Sequence, residues 1–578
     1  MLLQIELFDE HGKPCSANVG VYHNDIRVKR DYFDSVAEFD ISAGNYTVVV
    51  RRGKMYRPAD IALTLREPTK LTVQLERIFD PKSLGFYSFD AHSHISRHKV
   101  GDEGVANLHT MSVRARGEEW NAYFAGTPYD GENHYHTYFG GAEHITTYRE
   151  YYKDTIAEEK RDDYLLDLGG EFIKYRYGHI VLANYVERPP TDEFRDPLYH
   201  SYEQFRHYPF TEIPPFTNTP PSRAIKKYRN ENSFAVFCHP TSWWTEPISE
   251  SFVTNISSTI AFDALTGMVD AIVIQGYDAD KDNYRGIWYE LLNKGYRITG
   301  VAETDSCGDD PNQLSGARMV EPYRTYSRCG AFTLDEIAAS VRRGDCFASS
   351  GPLLDFTLDG HLPGEVIAWE EGKRYLFDAR GIACCEGELR EIEVVVNGET
   401  ALVAKPDENG HLQTEVTLPK EGYVLCILRD AVRNVAVANP VYVRNTPFVN
   451  DNFRANVKID VTYNGCGAKG TYTTDENDEP IAFDGAVECR INPMSRIYVT
   501  VDGKTQTLEP FFDEELQDVF HYALTGKFLE DYPECISGEV PPQVFQVDRV
   551  LERLNNFHVT MDFGVSEALL ASIRGGKA

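Results

Sequence analysis

Hydrophobic and polar residues alternate with period two through residues 1–80. Segments such as IELFDEHGKP, NVGVYHN, GNYTVVVRRGKMY, IALTLREP and KLTVQLERI are short strands separated by turn residues. That spacing predicts a small β-sandwich over 1–82. From Gly85 the pattern changes. Strand-length apolar runs, FYSFDA (86–91), YLLDLGG (164–170), FAVFC (234–238), AIVIQ (271–275) and RITGVA (297–302), now alternate with helical patterns near 257–269, 283–294 and 333–343. Thr333-Leu334-Asp335-Glu336 is a capping box, and Gly344 is a natural helix stop. Such alternation implies an α/β barrel or layered sheet over 83–362. After SSGPLL (349–354) the chain becomes strand-like again. LREIEVVVNGE (389–399) and YVLCILRD (423–430) frame a second β unit over 363–446. Residues 447–578 mix strands (AVECRI, RIYVTVDGK) with helices (EELQDVFHYALTG, VDRVLERLNN) and read as an α+β domain of unknown role; no internal repeat is visible.

Length and charge bound the function. At about 100–200 residues per domain, the 578 residues accommodate these four units, and a 42% hydrophobic content supplies several cores. A net charge of −31 disfavours nucleic acid and anionic membranes as partners. It leaves a small-molecule substrate open, because a bound cation inverts the local potential. No apolar run is long enough to span a bilayer. The N-terminus reads as a first strand, not a signal peptide, and the 11 scattered cysteines suit a reducing compartment. The cytoplasm is therefore the expected location.

The chemistry lies where strands end. His92 and His94 follow strand 86–91, Glu171 follows 164–170, His239 follows 234–238, and Asp305 follows 297–302. In parallel α/β architectures the strand C-termini share one face, and sites form there. Imidazoles and carboxylates gathered at one mouth suit Zn²⁺, Mn²⁺ or Fe²⁺.

In order along the chain, GFYSFDAHSHISR, GGEFIKYRYGH, FAVFCHP, GVAETDSC and SVRRGDCFASSGPLLDFTLDG resemble the CehA/McbA-type metallohydrolases of the PHP (polymerase and histidinol phosphatase) superfamily. The resemblance covers about residues 40–365. It implies an α/β fold with a distorted (β/α)₇ barrel, flanked here by β-sandwich-like domains. It also implies a metal centre that activates water to hydrolyse small-molecule esters, amides, carbamates or phosphoesters. His92 and His94 match the family's first motif, Glu171 its bridging acidic ligand, His179 its Gly-His, His239 its His-Pro and Asp305 the Asp of its last motif. On that reading Asp305 is the general base, and His179 or His239 protonates the leaving group. The chain departs from the family twice. No Asp-His occurs in AYFAGTPYDG (122–131), and Cys307 stands where the family has its final His. One or two ions are expected in place of three, with Cys307 either a thiolate ligand or a small buried residue filling the space of the absent His.

Other residues are candidates for substrate contact. Trp243 and Trp244 follow His239, Lys174, Arg176 and Arg97 lie near motif residues and suit an anionic group, and His134, His136 and His144 cluster after the missing motif. A second reading is a PHP-fold relic that binds a ligand or carbohydrate without catalysis.

Overall fold

A computed structural model describes residues 1–95, 102–126, 138–139, 146–174, 178–185, 221–240, 243–244, 253–254, 258–276, 282–307, 323–522 and 546–564. The chain folds mostly as β-structure in several sheets, more β-rich than an evenly alternating α/β protein, because the flanking units are built almost wholly of strands.

Period-two alternation makes the first unit a two-sheet sandwich. Leu2–Phe8 is the central strand of a three-stranded sheet, antiparallel to Val36–Asp40 and parallel to Thr69–Gln74. The facing sheet runs Ile26–Asp34, Ser16–His23, Gly44–Arg51, Ala59–Leu65. Leu3, Ile5, Leu7, Val19, Val21, Val48 and Val50 fill the space between them. Leu2–Phe8 buries every second side chain, as a sandwich strand does, whereas Ser16–His23 is buried along its first six residues and the edge strand Ile26–Asp34 stays largely exposed.

The next unit is a large curled sheet. In order it contains Phe86–Asp90, Ala122–Gly126, Leu165–Lys174, Gly178–Ala183, Phe234–Phe237, Ala271–Gly276 and Thr299–Glu303. Neighbours are parallel, except that Gly178–Ala183 runs antiparallel to the strands on both its sides. The curl brings the two ends together, where Ser93 pairs with Ser306 and His94 with Cys307, in parallel. The helix Leu334–Arg343 begins and ends as its sequence requires. Thr333 accepts from the Glu336 amide, and Gly344 takes a left-handed φ of 83°.

The sheet does not stop at the expected unit boundary near 362. Arg324–Arg328 pairs with Phe86–Asp90 and with Cys346–Ser349, and the latter pairs with Val435–Ala438. Hydrogen bonding is thus continuous into Leu389–Val396 and Gly422–Asp430.

The tail resolves into a second copy of the first unit. Ala455–Tyr463 is antiparallel to Ala486–Ile491 and parallel to Phe557–Asp562. The opposing sheet runs Asn477–Asp484, Lys469–Thr474, Ile497–Val501, Lys504–Leu508. Strand order and directions match those of residues 1–74. The same backbone bonds recur: Cys15 to Leu7, Ser35 to Cys15 and Leu7 to Ser35 in one copy, Ala468 to Val461, Gly485 to Ala468 and Val461 to Gly485 in the other. Ser35 and Gly485 both have positive φ, 69° and 80°. The second copy differs by the helices Glu514–His521 and Val547–Asn555, inserted before its last strand. With the turn Pro510–Phe512 before them they dock the unit on the curled sheet's outer helices, Phe262 packing against Phe511 of the turn and Phe520 of the first helix at 5.3 and 5.8 Å between ring centres. Among the described residues, nine cysteines are free and no helix is long and apolar enough to cross a membrane.

Candidate metal centre

The strand ends do converge. Phe86–Asp90 and Ser93–His94 flank His92, His239 lies two residues beyond Phe237, and Asp305 lies two beyond Glu303. Glu171 sits inside the strand Leu165–Lys174, opposite Val181, not after the strand as its sequence position suggests. His179 lies on the adjacent antiparallel strand, opposite Ile173. Two close approaches allow the curl. A Cβ on Gly126 would lie 1.8 Å from the Ser93 carbonyl oxygen, and one on Gly276 (φ 143°) 2.2 Å from that of Glu303. Asp305 takes a left-handed φ of 50°, its amide donating to the His92 carbonyl at 3.0 Å. That turn, tolerated by Asp better than by most residues, directs the carboxylate back to the imidazoles.

His92, His94, His179, His239, Glu303 and Asp305 are all buried. His92 Nε2 lies 3.4 Å from Glu171 Oε1 and 3.4 Å from Asp305 Oδ1. His94 Nε2 lies 3.3 Å from Glu171 Oε2 and 3.0 Å from Asp305 Oδ1, and His239 Nε2 is 3.5 Å from Glu171 Oε1. Ligand atoms about 2.0–2.2 Å from a common ion are separated by about 2.9–3.6 Å, depending on whether the set is octahedral or tetrahedral. The cross-distances fall in that range. His92, His94 and Asp305 form one triplet able to hold an ion; His92, Glu171 and His239 form another. Glu171 stands between them, one oxygen towards His94 and the other towards His92 and His239. His92 Nε2 is buried and has no hydrogen-bond partner among the described residues, which fits an atom whose lone pair serves a cation. His179 is brought to the same place in a different relation. Its Nδ1 is 2.7 Å from Glu171 Oε1, a hydrogen-bond distance.

The electrostatics express the same crowding. Burial opposes charge on the His92 ring, but Cys238, Glu303, Glu171 and Asp305 around it raise its pKa well above the usual histidine value. His94 is pushed up to about 9, against its burial, by Asp305 and Glu171. Burial would raise Glu171, yet His92 and His179 hold it well below the usual range; His92 and His94 likewise lower Asp305. Burial lowers His179. Several carboxylates in one buried volume demand positive charge, from imidazolium protons or a metal ion.

Sequence reasoning missed two acidic residues. Glu303 Oε2 lies 2.6 Å from His92 Nδ1, and Glu303 Oε1 accepts from the His239 amide at 2.9 Å. Asp90 accepts from the Thr304 hydroxyl at 2.6 Å and from the His92 amide at 3.2 Å. Both end their strands, which is the signal that pointed to the other ligands. Cys307 is described through its backbone, which pairs with His94. Lys174 closes its strand opposite Gly178, and Trp243–Trp244 pairs with Val253–Thr254. Arg97, His134, His136, His144 and Arg176 lie outside the described residues.

No family model and no curated protein matches the chain. Among solved structures it is similar to the major pilin subunit of Bacillus cereus, at 10% identity over 29% of this chain and 69% of that one, with a TM-score of 0.12. It is also similar to an FMN-binding beta-glucuronidase from Facaelibacterium prausnitzii L2-6, at 9% identity over 75% and 70% with a TM-score of 0.16. A Bacteroides uniformis beta-glucuronidase is similar at 9% identity over 86% and 76%, TM-score 0.16. Scores this low assign neither fold nor activity.

Proposed function

We propose that this chain is a metal-dependent hydrolase of the PHP type, cleaving an ester, amide, carbamate or phosphoester bond of a small molecule. The observation that carries this reading is the buried convergence of His92, His94, His239, Glu171 and Asp305 at ligand-to-ligand spacing. One or two ions of Zn²⁺, Mn²⁺ or Fe²⁺ suit this donor set, with Glu171 shared if there are two. A bound ion of this kind lowers the pKa of water towards neutrality and polarises a carbonyl or phosphoryl oxygen. Asp305, a carboxylate that a bound cation would hold ionised, takes the proton of the attacking water. His179, or His239 if it is not engaged as a ligand, delivers a proton to the leaving group. An ionised Glu171 only accepts, so Nδ1 of His179 carries a proton in its bond to Glu171, and Nε2 must first take up a second proton, the one released by the attacking water, before it can donate. General acid–base catalysis of this kind contributes about 10²–10⁴-fold. The distorted barrel and a (β/α)₇ strand count belong to this same proposal.

Elemental analysis of the purified protein, with hydrolysis of p-nitrophenyl acetate and bis(p-nitrophenyl) phosphate before and after chelation, tests it. Near-stoichiometric metal is expected, with hydrolysis abolished by chelator and restored by Zn²⁺ or Mn²⁺. Replacing His92 and His94 together by Ala should strip the metal and leave the fold intact. Failure to take up either ion would overturn the reading. Stoichiometric metal without turnover of either bond class would favour the non-catalytic ligand-binding relic.

A further inference from the structure

We infer that Glu303 is a positioning residue that sets the tautomer of His92 and, through it, the ability of the cluster to accept a cation. This rests on the metal-centre reading above and assigns a role to a residue outside the proposed ligand set. Glu303 ends the strand Thr299–Glu303 and is 2% exposed. Its two oxygens have separate tasks. Oε1 accepts from the backbone N–H of His239 at 2.9 Å, and Oε2 lies 2.6 Å from His92 Nδ1.

The first contact has a fixed polarity, because a peptide nitrogen only donates. The second is decided by the carboxylate, which when ionised only accepts. Nδ1 of His92 must therefore carry a proton, and in the neutral ring Nε2 is left with its lone pair. Nε2 lies 3.4 Å from both Glu171 Oε1 and Asp305 Oδ1 and makes no hydrogen bond among the described residues.

His92, Cys238 and Glu303 also lie close enough to be considered as an ion site. The Nδ1 to Oε2 distance of 2.6 Å argues otherwise. Two ligands of one ion stand about 2.9–3.6 Å apart, whereas 2.6 Å is the length of a charge-assisted hydrogen bond. Cys238 directs its thiol to the Val236 carbonyl, 3.6 Å away. This triplet orients the ring and leaves coordination to Nε2.

The Glu303→Gln variant separates shape from acceptor count. Gln has the same size but one acceptor oxygen. The immovable His239 N–H claims it, so the amide NH₂ faces His92 Nδ1. The ring must then accept at Nδ1 and carry its proton on Nε2, where it points at Glu171 and Asp305 and blocks a cation. The same variant leaves the backbone contact to His239 in place, so the fold should persist.

Zn²⁺ affinity of the full-length wild type and Glu303→Gln, measured by competition with a chromogenic chelator, should differ on the order of 10–100-fold, with unchanged far-ultraviolet circular dichroism. Imidazole ¹⁵N spectra of the zinc-loaded wild type should show a protonated Nδ1 on His92, identified by its absence in His92→Gln. This second measurement stands if the Gln variant does not fold. Equal affinities in wild type and a folded Glu303→Gln would overturn the role of Glu303 alone. An unprotonated His92 Nδ1 in the zinc-loaded wild type would do so as well. A wild type that binds no zinc would overturn the metal centre and, with it, this inference.

Discussion

Single buried groups in this protein are tuned by what surrounds them, and Asp263 shows it away from the candidate metal centre. It lies in the buried helix Ile260–Leu265, accepts from the Thr259 hydroxyl at 2.6 Å, and is fully buried. Burial pushes its carboxyl up to about 6, against the hydroxyls of Ser222 and Thr259. The folded state therefore holds a proton that the unfolded chain releases near its ordinary value of 3.8. The stability this residue supports is complete below that value, is lost as pH rises towards 6, and stays lost above it. Asp263→Asn keeps an acceptor for Thr259 and removes the titration. At pH 7 it should stabilise the protein by on the order of 3 kcal/mol, with the advantage vanishing near pH 3.5. Urea denaturation across this range would check it, and a gain that does not change with pH would contradict the argument. At the same scale, His92, His94, Glu171, His239 and Asp305 were legible as ligand types, because each lies in or just beyond a strand. Glu303 carried the same strand-end signal, but its positioning role was not legible, since that depends on a backbone amide 64 residues away in sequence.

At the scale of elements, sequence signals were strongest where local chemistry decides the outcome. The N-cap at Thr333 and the stop at Gly344 appear as expected, because both depend only on neighbouring backbone groups; the reciprocal half of the box does not form, the Thr333 amide donating to the Ala331 carbonyl at 3.0 Å instead. The antiparallel strand Gly178–Ala183 was not read, although His179 was named. Its six buried residues are continuously apolar apart from His179, without alternation to mark them. The meeting of strands at the mouth of the curl depends on Gly126, whose small size is a demand of tertiary approach and not of turn geometry. Gly126→Ala would drive a methyl into the Ser93 carbonyl, 1.8 Å from its ideal position. Neither backbone can yield without opening the pairing of Ser93–His94 with its neighbours. The variant should lose on the order of 3 kcal/mol and bind zinc more weakly, as read by thermal unfolding and chelator competition. Wild-type values for both would show that the strands have room to separate there.

Across the whole molecule, units that look separable in sequence share sheets and cores. Cys346–Ser349 hydrogen-bonds to Val435–Ala438, and Val366–Ile367 to Val441–Val443. Phe347, Leu353 and Leu354 pack in one cluster with Val424, Cys426 and Val441. A fragment of residues 83–365 would therefore keep the ligands but expose a strand edge and an apolar face, both of which promote association. It should aggregate on expression, as size-exclusion chromatography would show; a soluble monomer as heat-stable as the full chain would refute this dependence. The repeated sandwich was invisible for a related reason. Leu3, Ile5 and Leu7 correspond to Val457, Ile459 and Val461, Cys15 to Ala468, and Ser35 to Gly485. A sandwich demands apolar residues at alternate positions, not particular ones, so two copies can share every strand direction with little identity.

The sequence by itself determined the strands with period-two burial, the capped helices and the residue types available to a metal, because these follow from local backbone geometry and side-chain chemistry. Tertiary structure alone decided that the curled sheet's ends meet, that its hydrogen bonding runs on through Val435–Ala438, and that the tail repeats the first unit. It also decided which nitrogen of His92 faces Glu303 and which faces Glu171 and Asp305. Those outcomes depend on contacts between residues tens to hundreds of positions apart, whose free energy is that of burial and pairing in three dimensions and leaves no periodicity along the chain.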